Sequence, residues 1–309
     1  MKVLLMSHIA DADGVTPVVL TDLVFDDYDY KLFEINDLEK YILDNLHTGF
    51  FDAYDKVFLT DLCFGDEVAQ EIIKTNLKDK LQVLDHHISR LPMNKYDFIT
   101  VIDEENGKKE SGTSLYYRYL KEHYDNELLN KDSIKTLVDM VRSGDTWEWK
   151  KTNYKEARDI STLLAYYGND KYIEKYKNFI RENDKFFFDE IDKTIIDIDR
   201  RRIHEYIENC KDKVIIKKIK GYNVGIIFAE LYRSELGNDL AEYYKEQVDF
   251  ILIINMNRSI SFRGIKDELN LGEISHEWFS GYGHMKAAGA QLPDGIKDEI
   301  IESFVKRIK

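Results

Sequence analysis

The first half of the chain alternates short runs of apolar, largely β-branched residues with longer amphipathic segments. The short runs predict strands, and segments with apolar residues three and four positions apart predict helices. The predicted strands are Val3–Met6, Lys31–Ile35, Val57–Thr60 and Leu81–Leu84, and the predicted helices are Leu38–Leu46 and Glu67–Leu77. Strands that alternate with helices form parallel sheets. We therefore expect an α/β fold with a parallel sheet in the N-terminal part.

The pattern changes twice in the rest of the chain. From about residue 132 to residue 210 the spacing is helical, in Ile134–Val141, Ile160–Tyr167 and Phe186–Ile207. Strand-like runs return after Val214, with predicted helices at Leu240–Gln247 and Lys297–Ile308. A chain of 309 residues exceeds the usual size of one hydrophobic core. We predict an N-terminal domain at residues 1–185, a helical connector at 186–212 and a smaller C-terminal α/β domain at 213–309.

Composition and charge limit which kinds of molecule the chain is expected to bind. The chain has 44 Lys and Arg residues against 58 Asp and Glu, a formal net charge of −14. Proteins that bind long nucleic acids neutralise many phosphates with basic side chains, so this balance argues against long-duplex DNA and leaves short nucleotides open. No run is apolar and long enough to span a membrane, and no signal peptide is recognised, so we expect a cytoplasmic protein without a membrane partner.

The first predicted strand runs directly into residues that bind metals in other proteins. His8 follows the strand, and Asp11, Asp13 and Gly14 come next. Open α/β sheets bind ligands at the carboxyl ends of their strands, which places these side chains where a site is expected. An Asp-Gly loop also caps helices, so this segment alone leaves both interpretations open.

Two further predicted strands end in residues of the same chemistry. Asp61 follows Val57–Thr60, and the triplet Asp85, His86 and His87 follows Leu81–Leu84. Asp61 alone fits a helix cap, but a carboxylate that bridges two cations about 3.5–4 Å apart is also what a two-metal centre requires. Packing rarely explains two adjacent histidines beside an aspartate, whereas a metal ligand oriented by a carboxylate does. Asp61 is therefore our candidate bridge.

A later acidic residue, Asp145, follows the predicted helix Ile134–Val141. We expect Gly144 to end that helix, and Trp147 could form a wall of a site. A surface turn is the simpler interpretation when this segment is considered alone.

Taken in chain order, these four segments resemble the four motifs of the DHH phosphoesterases. The motifs are HxxDxDG (His8–Gly14), a strand-end Asp (Asp61), DHH (Asp85–His87) and a later Asp (Asp145). Ser261-Phe262-Arg263 and the stretch Gly281–Gly289 resemble the arginine strand and the glycine-rich loop of the DHH-associated domain. The motifs span residues 8–289. The chain is thus similar over nearly its whole length to the two-domain nano-RNases and oligoribonucleases of that family.

Two departures from the family pattern concern the substrate. Tyr282 stands where the loop usually has its middle glycine, which either narrows the loop or offers a surface on which a base can stack. The spacing from His8 to the aspartates is shorter than in the pyrophosphatase branch. This spacing argues against inorganic pyrophosphate as the substrate.

The resemblance implies two divalent cations, usually Mn²⁺, and assigns their ligands. One cation would be held by His8, Asp11 and Asp61, and the other by Asp13, Asp61, His86 and Asp145. Catalytic roles would fall to His87, Asp61 and Asp85, with His87 near the leaving group or behind the ligands. The residues that bind a substrate phosphate or terminal nucleotide across an interdomain cleft would be Arg263, Gly281, Tyr282, Gly283 and His284.

The activity implied is hydrolysis of a phosphodiester by water whose pKa two cations lower towards neutrality. The leading interpretation is an oligoribonuclease that releases nucleoside monophosphates from very short RNA. A phosphodiesterase for cyclic mononucleotides or linear dinucleotides fits the same residues, and a nucleotide-binding protein without turnover is an alternative of another class. A processive exonuclease is disfavoured, because no appended basic module is recognised. The assembly state stays open, with a homodimer among the alternatives.

Overall fold

The structure is a computed structural model that describes residues 1–152, 154 and 156–308. The chain forms two compact units, Met1–Ile196 (unit 1) and Asp197–Lys309 (unit 2). The division falls inside a long helix, Glu190–Lys211, which lies within the segment that the sequence analysis treats as a connector. Among the described helices, none is both long and apolar enough to cross a membrane.

Unit 1 alternates strands and helices through its first 85 residues and is helical after residue 112. Its strands are β1 (Lys2–His8), β2 (Asp27–Phe33), β3 (Lys56–Thr60), β4 (Leu81–Asp85), β5 (Ile99–Val101), β6 (Glu104–Glu105) and β7 (Lys108–Lys109). Its helices are α1 (Ala12–Val24), α2 (Leu38–Asn45), α3 (Asp66–Ile73), α4 (Gly112–His123), α5 (Asp132–Asp145), α6 (Trp149–Thr152), α7 (Glu156–Tyr167) and α8 (Asn169–Glu182); α9 (Glu190–Lys211) continues into unit 2.

The central sheet of unit 1 has the strand order β2-β1-β3-β4-β5, and the pairings are parallel. One face packs on α1 and α4, which α5, α7 and α8 cover in turn, and the other face packs on α2 and α3. The predicted parallel α/β sheet is therefore confirmed. Because β1, β3 and β4 are adjacent and parallel, their carboxyl ends meet at one edge of the sheet.

Several elements of unit 1 differ from the sequence predictions. The sequence pattern assigned no helix to α1 or α4, although both pack directly on the sheet. Most residues of α1 are buried around its whole circumference, so the two-sided pattern that reveals a surface helix is missing. Strand β2 lies earlier than the predicted Lys31–Ile35. Helix α5 continues through Gly144 to Asp145, so the expectation that Gly144 ends this helix was wrong.

Unit 2 contains a six-stranded mixed sheet with helices on both faces. The strands are β8 (Ile215–Ile219), β9 (Tyr222–Phe228), β10 (Phe250–Ile254), β11 (Ser259–Arg263), β12 (Tyr282–Gly283) and β13 (Ala287–Gln291), in the order β12-β13-β11-β10-β9-β8. The helices are α10 (Arg233–Tyr243), α11 (Leu271–Phe279) and α12 (Ile296–Arg307). Helix α10 covers one face and α11 the other. The helix predicted at Leu240–Gln247 begins earlier, at Arg233, and α11 was not predicted.

Candidate metal centre

The His and Asp residues predicted as ligands lie at the carboxyl edge of the unit 1 sheet. His8 is the last residue of β1, Asp61 follows β3, and His86 follows β4. Asp11 is the N-cap of α1, and its side chain accepts a hydrogen bond from Gly14 N at 2.9 Å. Asp11 is thus a helix cap and a neighbour of the other candidates at the same time.

One group of candidate ligands surrounds Nδ1 of His8. This atom lies 3.2 Å from Oδ2 of Asp11 and 3.4 Å from Oδ2 of Asp61. The candidate ligand atoms of these three residues all lie within 4.8 Å of one another. One imidazole and two carboxylates are a donor set that suits Mn²⁺ and related divalent cations.

A second group of candidate ligands surrounds Nε2 of His86. The atom lies 3.2 Å from Oδ1 of Asp61, 3.5 Å from Oδ2 of Asp145 and 3.6 Å from Oδ2 of Asp13. Asp145, at the end of α5, reaches this edge from a segment about 60 residues beyond the DHH triplet. Asp61 faces His8 with one oxygen and His86 with the other, so it lies between the two groups as a bridging carboxylate would.

Asp61 has two features that packing alone does not explain. Its backbone is left-handed, with φ of 56°, a conformation that costs roughly 1–2 kcal/mol for a residue with a Cβ atom. Its Oδ2 atom is buried and, within the described part of the chain, meets no donor in hydrogen-bonding geometry, since His8 Nδ1 lies 3.4 Å away. A buried carboxylate oxygen that lacks a well-formed hydrogen bond is strongly unfavourable unless a cation or proton satisfies it. The donor set and this oxygen both fit a bound cation.

The carboxylates hold the two histidines in their protonated form when no cation is bound. The hydrogen bond to Asp11, followed by the nearby carboxylate of Asp61, raises the pKa of His8 to about 10. Burial opposes protonation of His86, but Asp61 together with the charges of Asp13 and Asp145 outweighs it and raises the pKa of His86 to about 10. The site therefore favours positive charge at the two places where a cation would bind.

The pKa values of Asp13 and Asp145 are also raised, which for a carboxyl group favours the neutral form. Burial, followed by the charges of Asp61 and Asp145, raises the pKa of Asp13 well above its usual range. Burial also raises the pKa of Asp145 to about 6. Buried carboxylates this close to one another do not all ionise without a compensating charge, and a divalent cation would supply that charge.

The start of α4 holds Asp13 in place, and this role was not predicted from the sequence. The backbone N–H groups of Gly112 and Thr113 donate to Asp13 at 2.7 and 2.9 Å, and the Thr113 hydroxyl donates to the Asp13 carbonyl at 2.7 Å. Ser111 caps this helix through a capping box with Ser114. A Ser-Gly-Thr-Ser run is a recognisable capping signal, but only the fold brings it to Asp13, about 100 residues earlier in the chain.

The remaining residues of the DHH triplet form a pair beside the second group. Oδ1 of Asp85 accepts from Nδ1 of His87 at 2.7 Å and from the His86 backbone N–H at 2.8 Å. Asp85 is buried, whereas the His87 side chain is half exposed. The bond to Asp85 raises the pKa of His87. Asp85 therefore orients the ring of His87, and these two residues together with Asp61 and His86 offer ligand atoms that all lie within 4.8 Å of one another.

The predicted substrate-binding residues lie in unit 2, at one side of its sheet. Arg263 ends β11, and β12 and β13 form a hairpin in which Tyr282 pairs with Gly289 and Gly283 pairs with Ala288. Gly283 has φ of 155°, and a Cβ atom there would lie 2.4 Å from Cα of Ala288. The hairpin therefore requires glycine at this position.

The side chains of this loop differ in accessibility. Tyr282 is 78% exposed, its ring centroid lies 5.8 Å from that of His276, and His284 is exposed. Gly281 is buried, and a Cβ atom there would lie 2.4 Å from the Gly289 carbonyl oxygen. The departure at Tyr282 thus leaves the backbone of the hairpin intact and places an aromatic ring at the surface.

The chain is similar to known proteins in sequence and in fold. The chain is 30% identical over 308 residues to oligoribonuclease NrnB of Bacillus subtilis (strain 168), covering 97% of this chain and 74% of the relative. The fold is similar to the pGpG-specific phosphodiesterase PggH of Vibrio cholerae, with a TM-score of 0.54, 14% identity, and coverage of 100% of this chain and 99% of that one.

A further fold similarity is to RecJ of Thermus thermophilus in complex with Mn²⁺, with a TM-score of 0.53 and 12% identity over 99% of this chain and 52% of RecJ. No protein-family model matches the chain. At these identities the two solved structures establish the fold alone. The similarity to NrnB extends over nearly the whole chain and most of the relative, and it shows that the chain belongs to the DHH phosphoesterase family.

Proposed function

We propose that this phosphoric diester hydrolase is an oligoribonuclease that cleaves very short RNA to nucleoside monophosphates. The similarity to NrnB over 97% of the chain carries the proposal, because NrnB is an oligoribonuclease. The grouping of six His and Asp side chains at one sheet edge supports the hydrolytic part of the proposal.

The six side chains would hold two divalent cations, with Mn²⁺ expected. The first would be held by His8, Asp11 and Asp61, and the second by Asp13, Asp61, His86 and Asp145. Bound there, the cations would supply a water of lowered pKa and neutralise charge on the phosphodiester. Asp61 would keep the two sites together, because its two oxygens face different groups.

His87 is the candidate proton donor for the leaving oxygen. Asp85 accepts the Nδ1 proton of His87, so the Nε2 atom is left to carry the proton that is transferred. Since Asp85 raises the pKa of His87, a larger fraction of His87 is protonated near neutral pH than for a free histidine. Asp85 would thus orient the ring and support its charge.

Unit 2 would bind the substrate. Arg263 has a planar guanidinium group that suits a phosphate, because it can donate two parallel hydrogen bonds. The exposed ring of Tyr282 suits stacking on a base, which contributes roughly 1–3 kcal/mol per base in single-stranded nucleic acid binding. Gly281, Gly283 and His284 would shape and complete this surface.

Turnover of a substrate panel tests the proposal. The panel contains diribonucleotides, RNA 5-mers, cyclic mononucleotides and pyrophosphate, each with Mn²⁺ and with EDTA. We expect hydrolysis of the dinucleotides and 5-mers that EDTA abolishes and Mn²⁺ restores. His86→Ala should remove activity, whereas His47→Ala, which changes an exposed histidine outside the site, should not. Activity confined to cyclic nucleotides, or full activity in EDTA, would contradict the proposal.

A further inference from the structure

A second arginine lies beside Arg263 on the same face of the unit 2 sheet. Ile260 and Phe262 of β11 face the core beneath α11, so the alternating residues Ser259, Ser261 and Arg263 face the side covered by α10. Arg233 is the first residue of α10. Arg233 and Arg263 are thus carried by a helix and a strand that pack on each other.

Hydrogen bonds in both directions join the first turn of α10 to β11. Arg233 Nη1 on the helix donates to Ser259 Oγ on the strand at 2.8 Å. Arg263 Nη2 on the strand donates to Ser234 Oγ on the helix at 3.1 Å. The reciprocal bonds fix both guanidinium groups at the junction of the two elements.

A glycine of α10 makes the close approach of Arg263 possible. A Cβ atom at Gly237 would lie 2.5 Å from Cγ of Arg263 and 3.0 Å from its Cβ atom. Without a side chain at this position, the helix lies directly on the aliphatic part of Arg263. The arginine is therefore held on rigid elements rather than on a mobile loop.

The junction carries the positive charges of Arg233 and Arg263, with the carboxylate of Glu235 nearby. Arg263 also donates to the Phe262 carbonyl oxygen at 2.8 Å, so its described hydrogen bonds, like that of Arg233, go to neutral oxygens. Burial, followed by the positive charge of Arg233, lowers the pKa of Arg263, and the negative charge of Glu235 opposes them only in part. A guanidinium group has five N–H donors, so both arginines keep donors for an anion.

Resting on the proposed function, we propose that Arg233 is a further substrate-binding residue that acts with Arg263 to select short RNA ending in a phosphomonoester. A terminal phosphate carries a charge of about −1.5 to −2 near neutral pH, whereas an internal phosphodiester carries only one negative charge. A terminal phosphate therefore carries enough negative charge to pair with both guanidinium groups, whereas a diester carries enough for only one. The pair would therefore favour the end of a chain over its interior.

The experiment compares dinucleotides that differ only in a terminal phosphate. Diadenylate, its 5′-phosphorylated form and its 3′-phosphorylated form are hydrolysed by the full chain with Mn²⁺, and kcat/KM is measured for each. We expect one phosphorylated form to exceed the unphosphorylated one by at least about tenfold, the effect of one charge-assisted hydrogen bond. The preferred form identifies the end that the pair binds.

The quantity compared between variants is the ratio of kcat/KM for the preferred phosphorylated dinucleotide to kcat/KM for the unphosphorylated one. This ratio reports recognition of the terminal phosphate and not folding, because loss of folded protein lowers both values equally. Arg233→Ala should bring the ratio close to one, and Arg233→Lys should restore part of it by returning the charge. Ser259→Ala removes the tether and keeps the charge, so it should lower the ratio less than Arg233→Ala. Lys218→Ala, an exposed cation on β8, is the control for loss of one charge and should keep the wild-type ratio.

Two results would overturn the inference while leaving the proposed function intact. These are a wild-type ratio near one, and an Arg233→Ala ratio equal to that of the wild type. If no RNA is hydrolysed, the proposed function fails. Calorimetric binding of the same three dinucleotides to wild type and Arg233→Ala then decides the inference, and equal affinities for phosphorylated and unphosphorylated forms would refute it.

Discussion

A Cβ atom added at Gly112 would lie 2.5 Å from Cβ of Asp61, 2.6 Å from its backbone nitrogen and 2.7 Å from its Cα atom. Cβ atoms do not approach other atoms this closely, so Gly112→Ala must move the start of α4 or the backbone of Asp61. The Gly112 N–H also donates to Asp13 at 2.7 Å. The substitution therefore displaces two candidate ligands without removing either of them.

The expected effect on stability is moderate and the effect on activity is large. Overpacking costs about 1–3 kcal/mol, and the better helix propensity of alanine offsets up to about 1 kcal/mol of this. A displacement of about 1 Å at a catalytic group costs on the order of 100-fold in rate. Gly112→Ala should thus lower kcat/KM by about 100-fold while the chain remains folded.

Urea unfolding followed by circular dichroism measures the first quantity, and Mn²⁺-dependent hydrolysis of a dinucleotide measures the second. Gly65→Ala is the control, because a Cβ atom there meets only the flexible end of Glu39, at 3.4 Å. Because Gly65 is the N-cap of α3, the change should lower the free energy of unfolding by about 1 kcal/mol at most and leave activity intact. The reasoning fails if Gly112→Ala keeps activity within threefold of the wild type.

Three further predictions concern the metals and the substrate. Among single ligand substitutions, Asp61→Ala should lower metal content and turnover the most, because both groups of ligands lose a carboxylate. Metal content and turnover near the wild-type values would disprove the bridging role. The pKa values of His8 and His86 are raised to about 10, so both histidines are protonated at pH 7 when no cation is bound. Mn²⁺ binding should therefore release protons, and the affinity for Mn²⁺ should increase as the pH rises from 6 to 9. Titration calorimetry in buffers of different ionisation enthalpy measures the proton release, and a pH-independent affinity would argue against these ligands. Arg263→Ala and His284→Ala should each raise KM by roughly 10- to 150-fold, the effect of losing one charge-assisted hydrogen bond, while the amount of bound metal stays unchanged. Turnover by the wild type should also fall for RNA longer than about five nucleotides. An unchanged KM together with length-independent hydrolysis would rule out substrate binding by these residues.

The sequence alone indicated the α/β class and the segments that carry the candidate site. Apolar runs marked β1, β3 and β4, and His8, Asp61 and the DHH triplet each follow one of them. In a parallel sheet the carboxyl ends of neighbouring strands meet, so the position of a residue at a strand end already predicts its neighbours. This inference needed only local pattern and general topology.

The tertiary structure decided which groups hold these residues in place. The N–H groups of α4 that bind Asp13, the contact of Gly112 with Asp61 and the reach of Asp145 to His86 join residues about 50 to 100 positions apart. The arginine pair of unit 2 arises in the same way, since Arg233 and Arg263 belong to separate elements. Periodicity encodes which residues of one element face the core, but it does not state which element covers them, because packing partners are chosen by the whole chain.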